Sequence, residues 1–201
     1  TYNNALVWKA LQVIAQVFQK RGQAEQSAEV RAQSAVLRQR IQEVCVTDSP
    51  LGPMYAWAVN DTGQAQLLDQ PPGSLQLLAY YGFCPEDDPV YRNTVSWIHS
   101  EHNPDYCAGR FSAPACEHAP YPWVLSLCYQ LLTGDSEKAL QQLLAAELDN
   151  DIACETIDPQ TGRVKTGAAF ATCAGFLSHS LFTALHPTCK GPENEGGSAQ
   201  L

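Results

Sequence analysis

The carboxylate best placed for chemistry is Glu155, which lies among apolar residues in the segment Ile152-Ala153-Cys154-Glu155-Thr156-Ile157. A long stretch without Asp, Glu, Lys or Arg follows, from Gly167 to Leu185. Because burying an unpartnered carboxylate is costly, such a residue is either hydrogen-bonded for structure or placed for a reaction. We therefore take Glu155 as the candidate catalytic residue.

Two further loops carry polar groups that could join Glu155. Asp69 precedes a Pro-Pro turn, and Glu117 and His118 lie in a long loop from residue 101 to 120. Taken alone, Asp69 is typical of a helix cap or turn residue, Glu117 of a solvated charge, and His118 of either a structural hydrogen bond or a ligand contact. In a helical barrel, the loops that precede the inner helices all lie at the same end of the barrel. Residues of these loops that are far apart in the sequence could therefore lie close together in space.

Aromatic residues near these loops have two possible roles. They could belong to the core, which is the interpretation favoured for each residue individually, or they could form a platform on which sugar rings stack. The residues are Tyr55, Trp57, Tyr121 and Trp123.

Several other chemistries are not indicated. The sequence contains no Gly-x-Gly-x-x-Gly, no Walker lysine loop, no His-Glu-x-x-His and no Gly-x-Ser-x-Gly. The eight cysteines contain no closely spaced pair of the zinc-binding kind. A metal cluster of Cys107, Cys116 and His118 can be imagined, but we expect no metal. Buried reduced thiols in a cytosolic protein are favoured, and one or two disulfides remain the alternative.

Composition narrows the classes of partner. Twelve basic residues against twenty-one acidic ones give a net charge of −9, which argues against nucleic acid and anionic membranes. The run from Gly167 to Leu185 approaches the length of a membrane span, but Thr172, Ser178, His179 and Ser180 interrupt it and no basic flank supports insertion. We expect no membrane helix and a cytoplasmic location.

Hydrophobic periodicity predicts an all-α fold. Apolar helices alternate with amphipathic ones, in the order inner, outer, inner, outer, with long loops between some of them. Helices are predicted from about residue 4 to 20, 24 to 44, 75 to 81, 88 to 100, 121 to 132, 136 to 148 and 167 to 185. The turn Asn60-Asp61-Thr62-Gly63 predicts one inserted β-hairpin. Residues 187–201 are predicted to be a disordered tail.

Five blocks in a telling order carry a resemblance to a known family. They are Asp69-Gln-Pro-Pro-Gly-Ser-Leu-Gln-Leu-Leu-Ala-Tyr-Tyr-Gly-Phe, Asp88-Pro-Val-Tyr-Arg-Asn-Thr, Asn103-Pro-Asp-Tyr, Glu117-His-Ala-Pro-Tyr-Pro-Trp and Cys154-Glu-Thr. This order resembles the C-terminal half of the metal-independent exo-α-1,6-mannosidases of glycoside hydrolase family 125. The resemblance covers roughly residues 4 to 185 and implies part of an (α/α)6 barrel.

The resemblance also implies roles for residues. Glu155 would be the general base that activates water in an inverting hydrolysis of terminal α-linked mannose. Asp69 and His118 would line the sugar-binding subsite. No cofactor and no metal are implied, and the substrate would be a mannose-containing glycan.

Two departures from the family pattern limit what is carried over. The segment 158–171 differs from the usual stretch after the base, which affects the substrate assignment. The family's general acid, an Asp, lies upstream of the first residues here. The sequence predicts about seven helices where a closed barrel needs about twelve, so we interpret residues 1–186 as an incomplete catalytic domain that lacks the N-terminal half of the barrel. As an isolated piece it is expected to be inactive. The alternatives are a non-catalytic carbohydrate-binding protein and a helical scaffold of the same fold.

Overall fold

The polypeptide folds mainly into α-helices. A computed structural model of the chain describes residues 1–133 and 136–186. Within these residues the predicted all-α class is confirmed. The helices are α1 (Tyr2–Lys20), α2 (Ala24–Val44), α3 (Pro89–Ile98), α4 (Val124–Leu132), α5 (Ser136–Ala145) and α6 (Ala171–Leu185). Short 3-10 turns span Leu75–Leu77 and Asp149–Asp151.

Short antiparallel strand pairs lie in the loops between the helices. The pairs are β1 (Val46–Thr47) with β2 (Met54–Tyr55), β3 (Ala58–Val59) with β4 (Ala65–Gln66), β5 (Tyr106–Cys107) with β6 (Ala113–Pro114), and β7 (Thr156–Ile157) with β8 (Val164–Thr166). The β3–β4 pair confirms the predicted hairpin across residues 60–63. The expectation of one hairpin was too low, because two-residue strands leave almost no alternating pattern in a sequence.

Helices α1 and α2 form an antiparallel pair whose contact face carries small and polar side chains. The Ser27 hydroxyl donates to the carbonyl of Ala15 at 2.8 Å, and the Gln12 amide donates to the Ser34 hydroxyl at 2.6 Å. We expected α1 to be an inner helix, yet one side of it is exposed in the described chain. That side carries Val7, Val13, Ile14 and Val17, whose exposed fractions lie between 43% and 50%.

Helix α4 lies at the centre of the larger core. All nine of its residues are buried, and it packs against α5 and α6. It begins at Val124 rather than at residue 121, because Trp123 pairs with Thr156 and the amide of Ile157 donates to the carbonyl of Pro122 at 3.0 Å. A non-local strand-like contact therefore replaces the first predicted turn.

Local signals place α3 correctly. Asp88 caps the helix by accepting the amide of Tyr91 at 2.9 Å, and Pro89 occupies the first turn, where its missing amide hydrogen costs nothing. The sequence also predicts Asp135 as the cap of α5. Asp135 and the predicted tail 187–201 lie outside the described residues. In the described part of the chain, no helix combines the length and the apolar character that crossing a bilayer requires.

Cysteines within the described residues are all free thiols. Burial raises the pKa of Cys84 and Cys173 to about 12 and that of Cys154 to about 11. These thiols therefore stay protonated and act as small apolar groups in the core. Cys189 lies outside the described residues.

Candidate active site

Glu155 stands at the start of the β7–β8 hairpin, against the N-terminus of α4. Its carbonyl accepts the amide of Val124 at 3.1 Å. Its own amide is shared between the carbonyls of Thr166 at 3.3 Å and Gly167 at 3.0 Å. These bonds hold the backbone of residue 155 from both sides. The sequence predicted that α6 begins at Gly167. The pairing explains why the helix begins at Ala171 instead.

The side chain of Glu155 faces the imidazole of His118. Glu155 Oε1 lies 3.6 Å from His118 Nε2, and the exposed fractions of the two side chains are 16% and 66%. This distance is longer than a good hydrogen bond, so the contact is a close approach that a small shift would turn into one. Within the described residues, no Lys or Arg lies within ion-pair distance of Glu155.

Cys116 and Trp123 support the ring of His118. Cys116 Sγ lies 3.2 Å from Nδ1 and 3.8 Å from Nε2, so the sulfur sits beside the ring rather than in line with one nitrogen. The indole of Trp123 meets the imidazole edge to face at 5.5 Å between centroids, and its Nε1 donates to the carbonyl of Ala119 at 3.0 Å. Burial raises the pKa of Cys116, which favours the neutral thiol.

Asp69 is fully buried and occupied by its own loop. Its Oδ2 accepts the hydroxyl of Ser74 at 2.7 Å, and its Oδ1 accepts the amide of Leu75 at 2.7 Å. Burial raises the pKa of Asp69 to about 7, against the opposing effect of these two donors. The geometry is that of a turn and cap residue, which was the interpretation from the sequence alone. Its assignment to a sugar subsite stays a prediction.

Hydrogen bonds connect the Asp69 loop with the loop that carries His118. The side-chain amide of Asn103 donates to the carbonyl of Asp69 at 3.2 Å, and that of Gln70 donates to Asp105 Oδ2 at 3.0 Å. The backbone amide of Ala115 donates to the carbonyl of Asp105 at 2.7 Å. The structure thus brings His118 and Glu155 together. Among the described residues it shows no direct contact of the Asp69 carboxylate with either.

The aromatic residues divide between core and surface. Tyr55 and Trp123 are buried, whereas Trp57 and Tyr121 are half-buried. The ammonium of Lys165 lies 5.3 Å from the centroid of the Tyr121 ring and also pairs with Asp158 at 3.0 Å. Trp123 acts as a support for His118, a role that its position in the sequence did not reveal.

The described part of the chain shows no metal cluster at this site, and the surface depression that it does show lies elsewhere. Across residues 1–133 and 136–186, no group of three or more His, Cys, Asp or Glu side chains is arranged to hold a metal ion. A surface depression of about 400 Å³ lies against the β3–β4 hairpin and is lined by residues 58–60 and 64–66. None of Asp69, His118 and Glu155 lines it.

Comparison with known proteins gives the family of the chain. The sequence model of the family described as metal-independent α-mannosidase (GH125) matches residues 1–179. The "Meiotically up-regulated gene 157 protein" of Schizosaccharomyces pombe is 32% identical over 147 residues, which are 70% of this chain and 29% of that protein.

Solved structures show the same fold. A metal-independent α-mannosidase of Streptococcus pneumoniae, in a non-productive complex with α-1,6-mannobiose, superposes with a TM-score of 0.82 at 23% identity, over 90% of this chain and 46% of that one. A bacterial glucoamylase complexed with acarbose gives a TM-score of 0.64 at 15% identity, over 90% and 32%. The chain spans less than half the length of these relatives, and its helices have the arrangement of an (α/α)-barrel fold. With the family model matched along most of its length, the chain belongs to the metal-independent α-mannosidase family, GH125.

Proposed function

We propose that this chain supplies the general base of an inverting exo-α-1,6-mannosidase, and that the base is Glu155. The observation that carries the proposal is a carboxylate held from both sides of its backbone, facing His118 and free of any Lys or Arg partner within the described residues, in a chain of this family. A carboxylate neutralised by a guanidinium would be a poor base. Glu155 keeps its acceptor oxygens available.

The proposed reaction is a single displacement at the anomeric carbon. Glu155 takes a proton from water while the water oxygen forms the new bond to that carbon, and the bond to the departing sugar oxygen breaks. A second carboxyl group gives the departing oxygen its proton. In an inverting enzyme the two carboxyl groups stand roughly 6.5–9.5 Å apart, which leaves room for the water. We assign the role of general acid to an Asp that lies in residues outside this chain.

His118 has a supporting part in this proposal. Its Nε2 faces Glu155, and its exposed ring is available to a sugar hydroxyl. The pneumococcal relative was solved with α-1,6-mannobiose, and this supports a mannose-containing glycan as the substrate class here.

The exposed apolar side of α1 supports the proposal that further helices complete the barrel. Four large apolar side chains at helical spacing, Val7, Val13, Ile14 and Val17, face solvent in the described chain. The chain also covers 46% of the pneumococcal protein. We therefore assign this side to a contact with helices of the remaining half of the barrel, and we expect residues 1–186 alone to be inactive.

A cytoplasmic location is part of the same proposal. Free thiols in the described residues are typical of proteins kept in a reducing compartment. Mass spectrometry of the native protein after alkylation under denaturing, non-reducing conditions should label these cysteines. Finding them joined in disulfides would refute the location.

The stereochemistry of the product tests the proposed reaction. The protein expressed from its complete coding sequence should release mannose from α-1,6-mannobiose, and proton NMR at early times should show the β-anomer before mutarotation. Early release of α-mannose would refute inversion. Mannose binding without any hydrolysis would instead support the non-catalytic alternative.

A further inference from the structure

Gly167 accepts a hydrogen bond from the backbone of Glu155 and lies close to the Cβ atom of the Glu155 side chain. Gly167 directly follows β8, its φ is +54°, and its carbonyl accepts the amide of Glu155 at 3.0 Å. The sequence around Gly167 does not indicate this contact. The contact exists because the β7–β8 hairpin folds residue 167 back onto residue 155.

The approach of the two residues leaves no room for a side chain at position 167. A Cβ atom there would lie 2.8 Å from the Cβ of Glu155 and 3.5 Å from Glu155 Oε2. Ordinary contact begins at 3.4 Å, so the two residues would have to separate by about 0.6 Å. The obstructing atom is a Cβ fixed by the backbone and not the flexible end of a side chain, so rotation of Glu155 cannot relieve the overlap.

Residue 155 has little freedom to retreat. The amide of Val124 binds its carbonyl, and the neighbouring hydroxyls of Thr156 and Thr166 bond at 2.6 Å. Because the Glu155 amide also donates to the Gly167 carbonyl at 3.0 Å, separating the two residues loosens a hydrogen bond that fixes residue 155, and the carboxylate then shifts relative to His118 and the N-terminus of α4.

We propose that Gly167 is a positioning residue that fixes the carboxylate of Glu155 for catalysis. The claim rests on the proposed role of Glu155 as the general base. The missing side chain lets the hairpin close onto Glu155, and any larger residue at 167 moves the base away from the water that it activates. A misplacement near 1 Å can lower a rate by about 100-fold.

The test compares glycine substitutions in the protein expressed from its complete coding sequence. With α-1,6-mannobiose as the substrate, Gly167→Ala should lower kcat by roughly 10- to 100-fold and leave KM within about twofold. Gly162→Ala is the matched control, because residue 162 also has a positive φ, +76°, but its added Cβ would meet the ring of Phe111. It should lower the melting temperature and keep kcat. Gly175→Ala meets nothing within 4 Å and should change neither.

A second variant separates the contact from backbone strain. Asn tolerates positive φ better than Ala, so Gly167→Asn should melt closer to wild type and still show the loss of kcat. If the kcat values of Gly167→Ala and Gly167→Asn equal that of Gly162→Ala, the positioning role is wrong.

Glu155→Gln in the same assay distinguishes this failure from failure of the function. If Glu155→Gln abolishes turnover and Gly167→Ala does not affect it, the positioning role alone is overturned. If Glu155→Gln turns over normally, the proposed function is wrong and the positioning claim falls with it.

Discussion

Replacing Asp69 by Asn should remove a defined part of the pH dependence of stability. Asp69 is completely buried, and its carboxyl group accepts the Ser74 hydroxyl and the Leu75 amide. Burial raises its pKa from an ordinary value near 3.8 to about 7. Asn has nearly the shape of the protonated acid and does not titrate in this range.

The sign and size of the effect follow from proton linkage. Between about pH 4 and pH 7 the folded protein keeps a proton on Asp69 that the unfolded chain has lost, so the free energy of unfolding falls as the pH rises. The slope is about 1.4 kcal/mol per pH unit, and the shift of about three units gives a total near 4 kcal/mol. The stabilisation is fully present below about pH 4 and is lost as the pH rises through 7.

Urea unfolding at pH 4, 5, 6, 7 and 8 measures this contribution. The difference in unfolding free energy between wild type and Asp69→Asn should move by about 4 kcal/mol across the series, in favour of the variant at high pH. Asp61→Asn, at the exposed tip of the β3–β4 hairpin, is the matched control and should run parallel to wild type. Parallel curves for wild type and Asp69→Asn would show that Asp69 is ionised when folded and would refute the reasoning.

Two further predictions concern the rest of the molecule. In the protein expressed from its complete coding sequence, Ile14→Glu should lower the melting temperature by several degrees, because it places a charge in the proposed helix contact of α1. Val36→Glu on α2, at a residue that is 61% exposed, is the control and should have little effect. Equal shifts of the melting temperature in the two variants would refute the proposed contact. His118→Ala should lower kcat/KM on α-1,6-mannobiose by about 10- to 100-fold, because a polar contact to the base or to the sugar is lost. Glu117→Ala, at the exposed neighbouring residue, should keep a kcat/KM near that of the wild type. A His118→Ala variant with the kcat/KM of the wild type would place His118 outside the site.

Local signals in the sequence predicted the helices best. The bounds of α2 agree with the predicted residues, and α3 begins within one residue of its predicted start at residue 88, because periodicity and capping depend on neighbouring residues. The start of α4 was wrong by three residues and the start of α6 by four. Both errors come from the pairing of residues 122–124 with 155–157 and of Glu155 with 166–167, which no local pattern announces.

The sequence proposed residues for the candidate site, and the structure supplies the distances between them. The lone carboxylate in an apolar segment pointed to Glu155, and the resemblance added His118; the structure places the two side chains 3.6 Å apart. The assignment of Asp69 to a sugar subsite rests on the resemblance alone and stays a prediction. In the structure its carboxylate is buried and bonded within its own loop. Gly167 was missed because a glycine after a strand has no distinguishing feature until the residue across from it is known.

The most direct test of the central claim is the turnover number of Glu155→Gln on α-1,6-mannobiose, in the protein expressed from its complete coding sequence. The amide keeps the shape of the side chain and cannot take a proton from water. We predict that kcat falls by about 10²- to 10⁴-fold with KM nearly unchanged, the size expected for loss of a general base. A Glu155→Gln enzyme with the kcat of the wild type would contradict the assignment.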